Sequence, residues 1–211
     1  TGDSLPITAR AGLQAAPRGF AFYDETVKGP DLVALPLDPN GAILTGIARV
    51  GSEIWCSDSR RPSLMRFNAS GTLLDRYVPE GSNQFGPTLG VETIPGRYAL
   101  APAPSNSLFR GGFHGLALAP SGELATILRA SLDNPDSTLN QSSIASRIVR
   151  LLLVDPSTGQ PTAEYAVAME DSGSGTADLT VIDGELHIVE ESNCSGSRRL
   201  IRLDLSSATN L

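Results

Sequence analysis

Short apolar runs separated by turn residues recur along this 211-residue chain and limit its fold more than any other feature. Typical runs are Ser63 to Phe67 and Ile148 to Val154, and a typical turn between runs is Pro120-Ser121-Gly122. Helical periodicity is hard to find, and the chain contains 21 Gly and 15 Pro, which interrupt long elements. Runs bounded by such turns are typical of β-strands. The sequence therefore predicts an all-β protein.

The strands are predicted to repeat as a unit of three that closes at a polar turn. Complete copies begin at Thr45, His114 and Asp178. The fragment from Leu32 to Gly41 is predicted to be the end of an earlier copy, which makes about four repeated β units. Repeated small sheets are typical of radial architecture, because neighbouring sheets must stack to bury both of their faces. We therefore predict a β-propeller, with a β-sandwich as the alternative.

The number of copies affects how the domain is expected to close. The whole chain, residues 1–211, is predicted to be one propeller domain. Three and a half copies are few for a closed ring, so we expect part of a propeller, incomplete at its C-terminal end. A second chain or segment would then complete it. Two polar segments that interrupt the repeat, Val78 to Arg110 and Ser131 to Ser146, are predicted to be long loops.

Charge and composition exclude several classes of protein. The chain has 16 Lys and Arg against 23 Asp and Glu, so its formal net charge is −7. This balance argues against nucleic acid as a partner, because nucleic-acid binders carry a clustered cationic surface. No apolar run approaches the ~18 residues that a membrane span needs. The remaining partners are a small-molecule or protein ligand of unknown identity.

Cysteines and glycosylation motifs bear on the cellular location. Cys56 and Cys194 are predicted to form one disulfide, which an oxidising compartment would preserve, and two buried free thiols are the alternative. N-x-S/T motifs place candidate glycosylation sites at Asn68, Asn140 and Asn193. Together these features favour a secreted or extracytoplasmic protein.

Three carboxylates lie at predicted strand ends in different copies of the repeat. Asp58 ends a strand, Asp178 opens one, and Glu190 ends another. Acids at equivalent strand ends of a propeller converge near its axis, where their oxygen atoms suit Ca²⁺. The alternative is that these acids simply meet solvent. The pattern predicts a calcium site formed by the three carboxylates.

The stretch from Gly46 to Asp58, followed by Pro62 to Phe67, resembles the phytase-like domain family, often labelled "esterase-like activity of phytase". The family motif reads roughly E-G-I-A … W-V-S-D-E-Y-G-P-S-L-Y-R-F, and this chain has T-G-I-A … W-C-S-D-S-R-R-P-S-L-M-R-F. The resemblance continues through Gly112 to Ala117 and covers about Leu44 to Leu205. It implies an exported β-propeller with phosphoesterase-like or esterase-like activity.

Three positions depart from that family motif. Thr45, Ser59 and His114 stand where the family has glutamate. Each loss removes a group that could bind a metal ion or transfer a proton. The departures suggest that the catalytic site is altered or degenerate.

Two functions follow from these observations. The first is an exported phosphoester or ester hydrolase, with Ca²⁺ held by Asp58, Asp178 and Glu190, and with His114 or Arg129 contacting the substrate. The second is a non-catalytic extracellular propeller used for binding or structure. The family resemblance favours the first, and the missing acids favour the second.

Overall fold

The computed structural model describes residues 43–59, 63–79, 91–94, 112–131, 146–172, 174–192 and 196–211. These residues form three sheets, which we call blades 1, 2 and 3. Blade 1 contains β1 (Leu44–Val50), β2 (Glu53–Asp58), β3 (Ser63–Phe67), β4 (Leu73–Pro79) and β5 (Val91–Ile94). Blade 2 contains β6 (Phe113–Leu118), β7 (Leu124–Leu128), β8 (Ile148–Val154) and β9 (Pro161–Ala168). Blade 3 contains β10 (Gly175–Ile182), β11 (Glu185–Glu191) and β12 (Arg198–Leu203).

Within each blade the strands follow one another in chain order and pair antiparallel, except that β5 pairs parallel with β4. The blades meet through their first strands, since β1 contacts β6 and β6 contacts β10. Sheets that stack around their first strands form the radial arrangement of a propeller, whereas a sandwich pairs two sheets face to face. The all-β and propeller predictions are therefore confirmed. The predicted earlier copy, Leu32 to Gly41, lies outside the described residues.

The repeated unit is larger in blades 1 and 2 than the sequence predicts. Each of these blades has a fourth strand, β4 or β9, that the three-strand unit omits. Outer strands of this kind face water on more of their surface, so polar residues such as Asp75 and Thr162 interrupt the apolar pattern that identifies a strand. Among the described residues, blade 3 has three strands.

The two predicted loops have different outcomes. The segment from Val78 to Arg110 includes the end of β4 and the whole of β5, so the loop prediction is wrong at those residues. The rest of that segment lies outside the described residues. Of the second segment, residues 132–145 lie outside the described residues, and its two ends are held together because the Ser131 hydroxyl donates a hydrogen bond of 3.2 Å to the Ser146 carbonyl. Within the described parts of the chain, no helix is long and apolar enough to cross a lipid bilayer.

Two glycines allow the first strands of neighbouring blades to approach closely. A Cβ on Gly46 of β1 would lie 2.5 Å from the backbone nitrogen of Leu116. A Cβ on Gly115 of β6 would lie 2.3 Å from the backbone nitrogen of Leu179, and Gly115 also has a φ of +80°. Side chains at these positions would push the blades apart, so the close packing of the first strands requires glycine at both positions.

Apolar side chains fill the spaces between the blades. Trp55, Leu64 and Phe113 are buried between blades 1 and 2, and Ile127 and Ile188 are buried between blades 2 and 3. Burying a side chain of this size contributes about 1.5–3 kcal/mol. The packing therefore fixes the relative positions of the strand ends where the candidate site lies.

Candidate functional site

Most of the predicted site residues lie at one end of the blades, which we call the site end. Here β2, β7 and β11 finish and β1, β6 and β10 begin. His114 follows the first residue of β6, and Arg129 directly follows β7. The antiparallel pairing of β6 with β7 brings these two residues to the same end of blade 2.

His114 is half-buried and interacts with charges from two blades. Burial lowers the pKa of its imidazole below the ordinary value of 6.5, and the positive charge of Arg129 lowers it further. A backbone hydrogen bond to Ala177 and the charges of Asp178 and Glu191 act in the opposite direction, and the net pKa shift is downward. The imidazole is therefore neutral near pH 7.

The hydrogen bonds of His114 also select one tautomer. Its Nδ1 is buried and makes no hydrogen bond to the described residues. Nε2 is therefore the nitrogen that bonds the Ala177 carbonyl, and it must carry the proton. This leaves a free lone pair on Nδ1, the form of histidine that accepts a proton. A buried nitrogen without a partner costs about 1–3 kcal/mol, so its retention calls for an explanation.

The backbone around Arg129 is held by both neighbouring chain segments. Its N–H donates to the Gly112 carbonyl at 2.9 Å. From blade 3, the Thr176 N–H donates to the Arg129 carbonyl at 2.9 Å, and the Thr176 hydroxyl donates to the Leu128 carbonyl at 2.8 Å. A Cβ on Gly175 would lie 2.7 Å from the Arg129 carbonyl oxygen, so this close contact requires a glycine. The site is thus built across the boundary between blades 2 and 3.

Glu191, at the end of β11, joins two arginines at the site end. Its Oε2 lies 3.9 Å from Arg129 Nη2, and its Oε1 accepts hydrogen bonds from Arg198 Nε at 3.2 Å and Nη2 at 2.9 Å. The hydrogen bonds from Arg198 are the main reason that the pKa of Glu191 is lowered. Neither Glu191 nor Arg198 is among the site residues predicted from the sequence. Glu191 is next to Glu190, but strand alternation places these two side chains on opposite faces of the sheet.

Asp178 lies beside this group but does not share a metal site with the other predicted ligands. Its side chain is exposed, and its Oδ1 accepts a hydrogen bond of 2.8 Å from the Leu179 N–H. The charge of Asp178 acts on His114 and opposes the lowering of the histidine pKa. Its role at the site is therefore electrostatic.

Asp58 is fully buried and paired inside blade 1. Its Oδ2 lies 2.7 Å from Arg76 Nη2 and accepts a hydrogen bond of 3.1 Å from the Ser63 hydroxyl. Its Oδ1 accepts a hydrogen bond of 2.9 Å from the Ile43 N–H. A carboxylate whose oxygen atoms already bond a guanidinium and two further donors serves the fold.

Glu190 is also buried, but it is less completely bonded. Its Oε1 accepts a hydrogen bond of 3.0 Å from the Glu170 N–H, which lies in the connection from β9 to β10. Its Oε2 is buried and has no hydrogen-bond partner among the described residues. Arg199 is its register partner on β12, but the Arg199 guanidinium lies near Glu170 and Asp171 instead.

The structure does not form the predicted three-carboxylate site. Within the described residues, no group of three or more His, Cys, Asp or Glu side chains is placed to hold a metal ion. Asp58 is bonded within blade 1, while Asp178 and Glu190 belong to blade 3, where one is exposed and the other buried. Calcium binding itself stays a prediction.

The cysteine and glycosylation predictions are covered only in part by the described residues. Cys56 is a buried free thiol, so the disulfide is not observed, and burial raises the pKa of this thiol to about 11. Asn68 lies in the turn after β3, where its Oδ1 accepts a hydrogen bond from the Ser70 N–H. Cys194, Asn140 and Asn193 lie outside the described residues, and glycosylation stays a prediction.

Comparisons with known proteins identify one family. A model described as "Phytase-like: Esterase-like activity of phytase" matches residues 34–211. A comparison with curated proteins finds no significant match.

Solved structures share only a distant likeness with the chain. The computationally designed Ika4 protein is 11% identical with a TM-score of 0.31, and the match covers 77% of this chain and 92% of Ika4. A streptogramin B lyase is 13% identical with a TM-score of 0.31, and the match covers 78% of this chain and 56% of the lyase. Virginiamycin B lyase from Staphylococcus aureus is 14% identical with a TM-score of 0.30, with 83% of this chain and 61% of the lyase covered. The chain thus spans little more than half the length of these two lyases.

Proposed function

Since the chain belongs to the phytase-like family, we propose that it is an exported hydrolase of esters or phosphoesters whose reaction takes place beside His114 and Arg129. The observation that carries the proposal is the placement of His114 and Arg129 at the same end of blade 2, where the charge of Arg129 acts on a half-buried imidazole. Export is supported by the family resemblance and by the N-x-S/T motifs.

The proposed reaction uses His114 as a general base. In the proposed substrate complex a water molecule reaches the imidazole of His114, which accepts a proton from it while the water oxygen bonds to the carbonyl carbon or phosphorus of the substrate. Arg129 stabilises the negative charge that develops on the substrate oxygen. The alcohol then leaves and takes the proton from the imidazolium, which returns His114 to its starting form. General-base catalysis of this kind contributes typically 10²–10⁴-fold to a rate.

The lowered pKa of His114 suits this role. Because the imidazole loses its proton below the ordinary value of 6.5, the base is available at neutral pH. Activity should therefore fall on the acid side with an apparent pKa below 6.5. Arg129→Gln removes a cause of the lowering, so this acid limb should move to higher pH.

Hydrolysis of p-nitrophenyl acetate and p-nitrophenyl phosphate, each measured with and without added calcium, tests the proposal. His114→Gln should reduce kcat/KM by about 10²-fold, because it removes the proton acceptor and keeps a side chain of similar size. His187→Gln is the matched control. The other histidine lies near the opposite end of β11, where its Nδ1 is 3.0 Å from the Glu185 carbonyl.

Two results would contradict the proposal. One is the absence of turnover of both esters with and without calcium. The other is an equal loss of activity in His114→Gln and His187→Gln, since a general effect on the fold would then explain both. Turnover that is unchanged when calcium is removed by chelation would in turn count against the predicted metal.

The second candidate is a non-catalytic binding propeller. The specific observation that favours it is the internal ion pair of Asp58 with Arg76, which uses one of the predicted ligands for stability. In that case His114→Gln should weaken the binding of a small ester analogue without any measurable turnover by the unmodified protein.

A further inference from the structure

Glu191 lies where an anionic group of a ligand would bind. Its two carboxylate oxygens face different guanidinium groups, Arg129 Nη2 at 3.9 Å and Arg198 Nη2 at 2.9 Å. A pair of arginines that converge on one carboxylate has the geometry that also recognises a phosphate group. The Glu191 carboxylate therefore already occupies the position between the two arginines that a phosphate group would take.

The position is open to solvent, so a ligand can reach it. The side chain of Arg198 is 70% exposed, that of Arg129 is 37% exposed, and that of Glu191 is 29% exposed. A dianionic ligand that reached the two arginines would have to displace Glu191 or approach it closely. Either route opposes binding, because like charges repel and the displaced carboxylate loses its hydrogen bonds.

The charges around His114 add to this effect. At neutral pH the imidazole is uncharged, and the charges of Arg129 and Arg198 are balanced by those of Asp178 and Glu191. This local balance refers to the described residues at the site end, and the whole chain carries a formal charge of −7. The site therefore lacks the excess positive charge that attracts a polyanion.

We infer that Glu191 acts as a tethered anion that excludes phosphate-like dianions, so that the substrates of this site are uncharged carboxylic esters. The statement about substrates rests on the proposed function. The exclusion of dianions is a binding property, and it can be tested independently of the reaction. It makes Glu191 a residue that determines specificity, since the carboxylate controls which ligand the two arginines can bind.

Binding of inorganic phosphate to the purified chain tests the exclusion directly. Glu191→Gln removes the negative charge and frees both guanidinium groups, so phosphate should bind about tenfold more tightly than to the unmodified protein. Glu185→Gln is the matched control, because Glu185 pairs with Arg202 at 2.9 Å on the same two strands but at the other end of blade 3. It should leave phosphate binding unchanged.

The two esters test the consequence for substrates. Glu191→Gln should shift the ratio of kcat/KM about tenfold from p-nitrophenyl acetate toward p-nitrophenyl phosphate. The inference is overturned if the unmodified protein binds phosphate as tightly as Glu191→Gln, or if Glu185→Gln gains as much affinity. If neither ester is hydrolysed, the proposed function fails, while tighter phosphate binding by Glu191→Gln still supports the exclusion of dianions.

Discussion

Asp58 in blade 1 and Glu190 in blade 3 occupy the same position of the repeated unit but have different surroundings. Each lies five residues after the glutamate that begins the second strand of its blade, Glu53 or Glu185. Both are buried, with 0% and 2% of their surface exposed. Asp58 is paired with Arg76, whereas Glu190 keeps one buried oxygen without a partner among the described residues.

The fourth strand explains the difference. Arg76 belongs to β4, which pairs with β3 and brings its guanidinium within 2.7 Å of Asp58. In the described residues, blade 3 ends its sheet at β12, so no fourth strand supplies a cation to Glu190. An acidic residue at the same position is thus fully paired in one blade and only partly bonded in the other.

The largest expected effect is on Asp58. Asp58→Ala should lower the free energy of unfolding by about 3–5 kcal/mol, because it leaves the Arg76 guanidinium buried without its carboxylate. Urea unfolding measures this loss. The double variant Asp58→Leu with Arg76→Met should recover most of the stability, since a buried pair is replaced by apolar groups. A loss below about 1 kcal/mol in Asp58→Ala would show that the pair is not important for stability.

The next effect concerns the pH dependence of stability and involves His114, the half-buried histidine at the site end. The folded-state pKa of His114 is lowered, so the unfolded chain binds a proton at higher pH than the folded chain does. The contribution of His114 to stability is therefore complete above pH 6.5 and is lost as the pH falls from 6.5 toward the lowered value. The slope from this one group is at most about 1.4 kcal/mol per pH unit.

Urea unfolding at several pH values, together with NMR titration of the two histidines, measures this effect. His114→Gln should remove the corresponding part of the pH dependence, and His187→Gln should retain it. Arg129→Gln should raise the pKa of His114, because it removes a positive charge that disfavours the imidazolium. An unchanged His114 titration in Arg129→Gln would mean that the two side chains are not close in solution.

The smallest expected effect is on Glu190. Glu190→Gln should change the free energy of unfolding by less than about 1 kcal/mol, because the amide oxygen still accepts the hydrogen bond from the Glu170 N–H and no buried charge remains. The same urea experiment compares it with Asp58→Asn, which should be much more destabilising. Equal losses in the two variants would remove the contrast between the blades.

Much of the fold is predictable from local sequence, and the exceptions have a common cause. Strands such as β8 and β11 are visible as apolar runs bounded by turns, because they are buried on at least one face. The outer strand β9 is not predicted because most of the alternate residues on one of its faces are exposed to solvent, so the strand lacks a continuous apolar run. The strand β5 is not predicted because it is only four residues long. It also pairs parallel with β4, so no hairpin turn in the sequence marks the pairing.

The candidate site is predictable only in part. His114 and Arg129 are found as substrate-contacting candidates, and the structure brings them together with Asp178. Glu191 and Thr176 escape selection, because a charged or hydroxyl residue at a strand end is common and its partner lies in another strand or blade. No local pattern shows which arginine will reach a given carboxylate.

Repeated β units and membership of the phytase-like family can be read from the amino-acid sequence alone, because turn residues, apolar runs and the order of motifs are local properties. The bonding partners of the individual carboxylates depend on how the strands and blades pack in three dimensions. Asp58 became an internal ion pair, Glu190 a half-bonded acid, and Glu191 a partner of two arginines. Strand alternation determines the face of the sheet on which a side chain lies. Its charge partner comes from another strand, which is brought near only by strand pairing or by the packing of blades.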